Sequence, residues 1–169
     1  MIVVMAGLPG SGKSTLCREL AALTSGVVLS KDEIRSALFA PADIEYSSQQ
    51  DDFCMQVVLS TASYILKKTP RRFVLLDGRT FSRRHQIDPV IATARELQQP
   101  WRILECVCSD RTARKRIEEQ GPAHPAKDRD YGLYLRMKER HEPITLPKTV
   151  IDTEQSLAAC VARARAALG

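Results

Sequence analysis

The stretch MAGLPGSGKST, Met5 to Thr15, constrains this chain more than any other. Ile2–Met5 is a continuous apolar run that reads as a buried strand. Three glycines and a proline follow it before Lys13 opens a segment carrying Leu16, Leu20 and Leu23 at helical spacing. Glycines so placed let the backbone turn until several N–H groups converge on one point. Pro9 has no N–H, so the donors come mainly from Gly10 to Thr15. The helix that begins at Lys13 adds the positive end of its dipole. Strand, glycine turn and helix start together form a cradle for an anion.

The alternation continues along the chain. Val27–Leu29, Phe73–Leu76, Arg102–Val107 and Thr149–Ile151 read as short strands. Asp32–Phe39, Ser47–Lys68, Arg84–Gln98, Asp110–Gln120, Tyr131–His141 and Glu154–Leu168 read as helices. Strands alternating with helices predict an α/β fold: a three-layer, doubly wound parallel sheet covered on both faces. The 169 residues show no repeat, linker or low-complexity tract, which predicts one domain over 1–169. GPAHPAKD, Gly121 to Asp128, breaks the helical pattern and is the expected mobile part of a lid around 111–130.

Composition narrows the classes. Apolar residues make up 44% and charged residues 27%, as in a water-soluble globular chain. No apolar run approaches the ~20 residues of a membrane span, and the N-terminus has no basic flank of a signal peptide. A cytoplasmic location, with no membrane and no obligate protein partner, is the expectation. The net charge of +5 suits an anionic partner. The five cysteines are odd in number and form no CxxC pair. Cys106 and Cys108 alternate on a strand, yet two lone thiols make a poor zinc site and read better as buried apolar residues. His85, His124 and His141 have no metal spacing, and Trp101 and the four tyrosines form no basic-aromatic stripe for nucleic acid. The chain contains no asparagine, which excludes the Asn-Lys-x-Asp guanine signature, the protein-kinase catalytic loop and N-glycosylation.

Gly7-x-x-x-x-Gly12-Lys13-Ser14 fits G-x-x-x-x-G-K-[ST], the P-loop or Walker A motif. In that motif the loop from Gly7 through Pro9, Gly10, Ser11 and Gly12 to Thr15 cradles phosphates, Lys13 reaches the β- and γ-phosphates, and Ser14 offers its hydroxyl to Mg²⁺. A nucleoside triphosphate, ATP first, is the implied ligand. Ligands of such sheets bind at the carboxyl ends of the strands. The groups there are Gly7–Thr15, Ser30–Arg35, Asp77–Arg84, Asp110–Arg116 and Asp152. Asp32 and Arg35, three apart, share a helix face. A carboxylate there can deprotonate an acceptor hydroxyl, and an arginine can hold an anionic group of the acceptor. Ser30-x-x-Glu33 also reads as a capping box with Asp32 favouring the helix dipole, and the two readings are compatible. Asp77 ends an apolar strand and either orients substrate or Mg²⁺-bound water or merely forms a turn before Gly78. Arg79, Arg83 and Arg84 have no acid among them. Arg111, Arg114, Lys115 and Arg116 are either phosphate clamps or a solvated face paired with Glu118 and Glu119. Specificity is expected in Phe39–Phe53 and around Arg79–Arg84.

GLPGSGKST, SKDEIR, LLDGRT and DRTARKR together resemble the small P-loop kinases that include polynucleotide 5′-hydroxyl kinases, zeta-type toxins and small-metabolite or antibiotic phosphotransferases. The resemblance spans most of the chain. It implies a five-stranded sheet of order 2-3-1-4-5 and transfer of the γ-phosphate of Mg·ATP to an acceptor hydroxyl. It further implies Asp32 as general base, Arg35 on a substrate anion, and lid arginines among Arg111, Arg114 and Arg116 on ATP. Asp77 and Arg79 are the further acceptor-side candidates. The acceptor is the 5′-OH of an oligonucleotide or a hydroxyl of a small metabolite or antibiotic. LLDGRT lacks the first Asp of the phosphatase D-x-D-G-T pattern, so no fused phosphatase is implied. An ATP-hydrolysing switch or binding module is the reading from another class; it leaves Asp32 and Arg35 without a task. A basic nucleic-acid-binding domain leaves the P-loop unexplained.

Overall fold

The computed structural model describes residues 1–120 and 130–169. The elements are β1 (Ile2–Ala6), α1 (Lys13–Thr24), β2 (Val27–Ser30), α2 (Lys31–Leu38), a 3₁₀ turn (Pro41–Asp43), α3 (Ser48–Lys68), β3 (Val74–Asp77), α4 (Arg84–Glu96), β4 (Trp101–Val107), α5 (Asp110–Gln120), α6 (Tyr131–Glu139), β5 (Thr149–Asp152) and α7 (Leu157–Leu168). The five strands form one parallel sheet of order β2-β3-β1-β4-β5, as the resemblance implied. α7 starts at Leu157, later than the expected Glu154, because the Ser156 hydroxyl accepts the Ala159 N–H and sets the cap there. Of the expected lid, 111–120 belong to α5, and the Asp130 carboxylate caps α6 by accepting the Leu133 N–H. The loop Gly121–Asp128, with His124, lies outside the described residues. No described helix is long and apolar enough to cross a membrane.

β1 is central and buried along its whole length. Its period-2 alternation feeds both faces. Ile2 and Val4 join Val74, Leu76 and Ile103 against Val58, Ala62 and Leu66 of α3 and Val90 and Ala94 of α4. Val3 and Met5 join Leu75, Leu104 and Ile151 against Leu16 and Leu20 of α1 and Ala164 and Leu168 of α7. Cys106 belongs to this second face, whereas Cys108, past the strand end, packs toward Ala113, Ile117 and Tyr134. The two thiols therefore serve different clusters. Burial pushes the Cys106 thiol up to about 12 and raises that of Cys17 as well, so both sit as inert core residues.

Parallel register brings the strand ends to one edge. Val4 pairs with Leu76, and Ser30 pairs with Asp77, so the chain leaves β1, β2 and β3 side by side. Gly7 leaves first, with φ at 132° and its N–H on the Thr80 carbonyl at 3.0 Å. A Cβ on Gly7 would lie 2.3 Å from the Cys106 carbonyl oxygen, so the loop hugs the end of β4. Gly7→Ala is expected to destabilise the fold by about 2 kcal/mol or more, from backbone strain plus the clash. Gly132→Ala, within α6 and facing only flexible side-chain ends, is expected to change stability by less than about 1 kcal/mol. Urea unfolding of both variants checks this; an unshifted Gly7→Ala midpoint would contradict the close approach.

Candidate active site

Five helices begin with a side-chain cap: Ser30 for α2, Ser47 for α3, Ser109 for α5, Asp130 for α6 and Ser156 for α7. α4 has no cap from Arg83, and only the Gln86 side chain accepts the Arg83 N–H. α1 begins at Gly12 with no side-chain cap and no acid in its first turn. Among the described residues no side chain caps its positive end, which suits an anionic ligand. Gly10 and Gly12 take φ of 76° and 81° to turn the loop into this cradle. Lys13 arches back over it, Nζ donating to the Leu8 carbonyl at 2.8 Å.

The loop is braced from behind. A Cβ on Gly10 would lie 2.7 Å from the Ala113 carbonyl oxygen, so α5 packs directly on it. Arg116 donates to the Gly10 carbonyl at 3.3 Å, to the Thr153 hydroxyl at 2.9 Å and to the Thr153 carbonyl at 2.7 Å. The Thr153 hydroxyl also lies 2.9 Å from the Ser11 carbonyl. Of the α5 arginines only Arg116 touches the loop. Arg114 pairs with Glu118 at 2.7 Å and lies over the Tyr131 ring, and Arg111 is exposed; neither lines the cleft. Arg114 thus occupies the solvated-face arrangement that the Glu118 spacing allowed.

A cleft of about 200 Å³ opens beside the loop. It gathers Pro9, Gly12, Lys13, Ser14 and Thr15 of the loop with Asp32, Arg35, Asp77 and Arg79 from the neighbouring strand ends. It also contains Lys31, Tyr46, Asp51, Thr80, Gln86, Leu133 and Met137, none of them singled out from the sequence. Tyr46 and Asp51 do fall within the expected specificity stretch.

The acidic and basic groups interlock. Lys31 Nζ lies 2.7 Å from Asp51 Oδ1 and 3.3 Å from Asp32 Oδ1. Arg35 bonds Asp32 Oδ1 at 3.0 Å through one terminal nitrogen and Asp51 Oδ1 through the other. Arg35 is only 2% exposed, and the Tyr46 ring covers its guanidinium at 5.1 Å. Its charge is already met by two carboxylates. Ser30 supplies the α2 cap, its Oγ accepting the Glu33 N–H, which leaves the Asp32 carboxylate to the cleft. Arg79 reaches Asp52 Oδ1 at 2.7 Å, Arg84 pairs with Asp88 at 2.6 Å, and Arg83 lies 3.7 Å from Glu142. The acids missing between these arginines in sequence arrive from other elements.

Asp77 is 5% exposed, and its Oδ1 has no hydrogen-bond partner among the described residues. A buried carboxylate oxygen lining a cleft that Ser14 also lines is a donor set that fits a hard divalent cation such as Mg²⁺. No group of three potential metal ligands occurs among the described residues, so phosphate oxygens and water would complete the shell.

A family model for the AAA domain matches residues 2–144. No curated protein matches the chain. Solved structures share the fold. A candidate kinase from Chloroflexus aurantiacus superposes with a TM-score of 0.77 at 21% identity, over 99% of this chain and 98% of that one. A gluconokinase from Sinorhizobium meliloti gives 0.70 at 18% identity, over 99% and 90%. An APS kinase from Mycobacterium tuberculosis, in complex with AMPPNP and APS, gives 0.72 at 15% identity, over 99% and 96%.

Asp51→Asn removes one member of the buried ion network and is expected to cost about 2 kcal/mol of stability or more. Asp88→Asn breaks only the exposed pair with Arg84 and is expected to cost less than about 1 kcal/mol. Urea unfolding separates the two; equal, small losses would contradict a mutually dependent network.

Proposed function

The chain belongs to the AAA domain family, and from that premise we propose that it is an ATP-dependent kinase that transfers the γ-phosphate of Mg·ATP to an acceptor hydroxyl. The observation that carries the proposal is one cleft holding both the uncapped glycine cradle with Lys13 and the carboxylate of Asp32. A gluconokinase and an APS kinase among the proteins of this fold, the latter with AMPPNP bound, support it. The resemblance to small P-loop kinases leaves two alternatives for the acceptor, the 5′-hydroxyl of an oligonucleotide or a hydroxyl of a small metabolite or antibiotic. A switch or binding module has no use for Asp32 and Asp51 in the cleft. The five unpaired cysteines suit a reducing compartment, in line with a cytoplasmic reaction.

The residues divide the work. The amides of the loop from Gly7 to Thr15 and the Lys13 ammonium hold the β- and γ-phosphates and oppose the charge that spreads over the transferring group. Arg116 and Thr153 fix the loop carbonyls so that the amides stay aimed inward. Ser14 and Asp77 would hold Mg²⁺, which when bound neutralises phosphate charge. The acceptor oxygen forms a bond to the γ-phosphorus while the bond to the β–γ bridging oxygen breaks, and ADP leaves with that electron pair. The acceptor proton passes to the Asp32 carboxylate and then to water. Both ion pairs of Asp32 engage Oδ1, which leaves Oδ2 for that proton. Arg35 is a positioning residue: it touches Asp32 and Asp51 and aims the base.

Asp32→Asn is expected to lower kcat by about 10²–10⁴-fold while the Kd for ATP changes by less than about threefold. Transfer of labelled γ-phosphate and equilibrium nucleotide binding check this together. Matching losses in rate and in ATP affinity would remove Asp32 from the role of base.

A further inference from the structure

On the acceptor side of the cleft, every described cation is already paired with a carboxylate. Three cations stand there, Lys31, Arg35 and Arg79, against three carboxylates, Asp32, Asp51 and Asp52. All three cations are buried. An anionic acceptor could claim Lys31 or Arg35 only by breaking a pair with Asp32 or Asp51, and that strands a carboxylate in the cleft wall. A neutral acceptor imposes no such loss. The basic runs visible in the sequence point to an anion; the folded arrangement cancels them.

What remains on offer is hydrogen bonding of a particular kind. The contacts to Asp32 and Asp51 fall on Oδ1 of each, and no described contact engages either Oδ2. A carboxylate oxygen accepts readily from a hydroxyl. Nε of Arg35 and Nε of Arg79 are buried N–H donors without a partner among the described residues. Such donors suit hydroxyl or ether oxygens. Tyr46, Leu133 and Met137 supply an apolar wall to the same cleft. The Tyr46 backbone is held at φ 50°, a conformation costly for an aromatic residue and found where a site over-determines it. Paired carboxylates, planar guanidinium donors and an aromatic face together recognise a ring of carbons bearing hydroxyls.

We infer that the acceptor of the proposed phosphotransferase is an uncharged, polyhydroxylated small molecule of the sugar or cyclitol class. Two neighbouring hydroxyls bind it: one at Asp32, where it is phosphorylated, and one at Asp51, which anchors it. This rests on the kinase reading above and adds the acceptor class to it. Asp51 is on this account a specificity residue that no motif marks.

The test uses the full chain with γ-labelled Mg·ATP and three acceptor sets. Neutral polyols are D-glucose, D-ribose and myo-inositol; the anionic set is D-gluconate and D-glucuronate; the third is a 5′-hydroxyl oligonucleotide. The best neutral polyol is expected to exceed every anionic acceptor in kcat/KM by about tenfold or more. Asp51→Asn is expected to raise KM for that polyol by about tenfold, with the KM for ATP within about twofold. Preferred transfer to an aldonate, a uronate or the oligonucleotide would overturn the inference and leave the kinase standing. A variant that loses kcat alone would overturn the anchoring role of Asp51. No transfer to any acceptor would overturn both the inference and the kinase reading.

Discussion

The structure depends on a helix start that no side chain among the described residues caps. α1 begins at Gly12 with its positive end open, at the carboxyl edge of the most buried strand. Leaving backbone donors without an internal partner has a free-energy cost, and the surrounding fold holds the arrangement in place. β4 crowds Gly7 from one side, α5 crowds Gly10 from another, and the Arg116–Thr153 clamp fastens Gly10 and Ser11 to the turn after β5. The positive end of α1 is thus a fixed feature of the fold, available to an anion without rearrangement.

The second constraint is electrostatic and lies on the other side of the loop. Lys31, Asp32, Arg35 and Asp51 form a closed set in which each cation meets both acids. Buried pairs of this kind add little net stability over an apolar packing, yet removal of one member is costly. Their effect is to fix geometry. Asp32 cannot swing toward the α2 dipole, because Arg35 and Lys31 hold it, and Ser30 already serves that helix end. The same closure that positions Asp32 cancels the charge of Arg35. Among the described residues, Lys31 and Arg35, which look like free cations along the chain, are thus paired with acids in the cleft.

The alternation of strands and helices and the loop were legible in the sequence because both are local, whereas the strand order came from the resemblance. Apolar runs separated by helical spacing identify a parallel sheet, and Gly7 to Thr15 carry their chemistry within one turn. Asp32, Arg35 and Asp77 were legible as well, since each follows a strand end. Asp51 was not. It sits in the first turn of α3, where an acid is unremarkable beside a helix dipole, and its partners Lys31 and Arg35 lie on another helix. Tyr46 sits in a loop with no periodicity to place it. Among the α5 arginines, spacing alone did not separate Arg116 from Arg114; the difference comes from which side of α5 packs on Gly10. The partners of Arg79 and Arg83 likewise come from distant segments, which no count of neighbouring charges reveals.

Equilibrium binding of ATP, ADP, AMP and adenosine in the presence of Mg²⁺, by calorimetry, tests the central claim most directly. If the uncapped α1 start and Lys13 grip the β- and γ-phosphates, ATP and ADP bind within about tenfold of each other, AMP binds about a hundredfold or more weaker, and adenosine weaker still. AMP or adenosine binding as tightly as ATP would contradict the account, because the affinity would then come from the base and sugar and the glycine cradle would have no phosphate to hold.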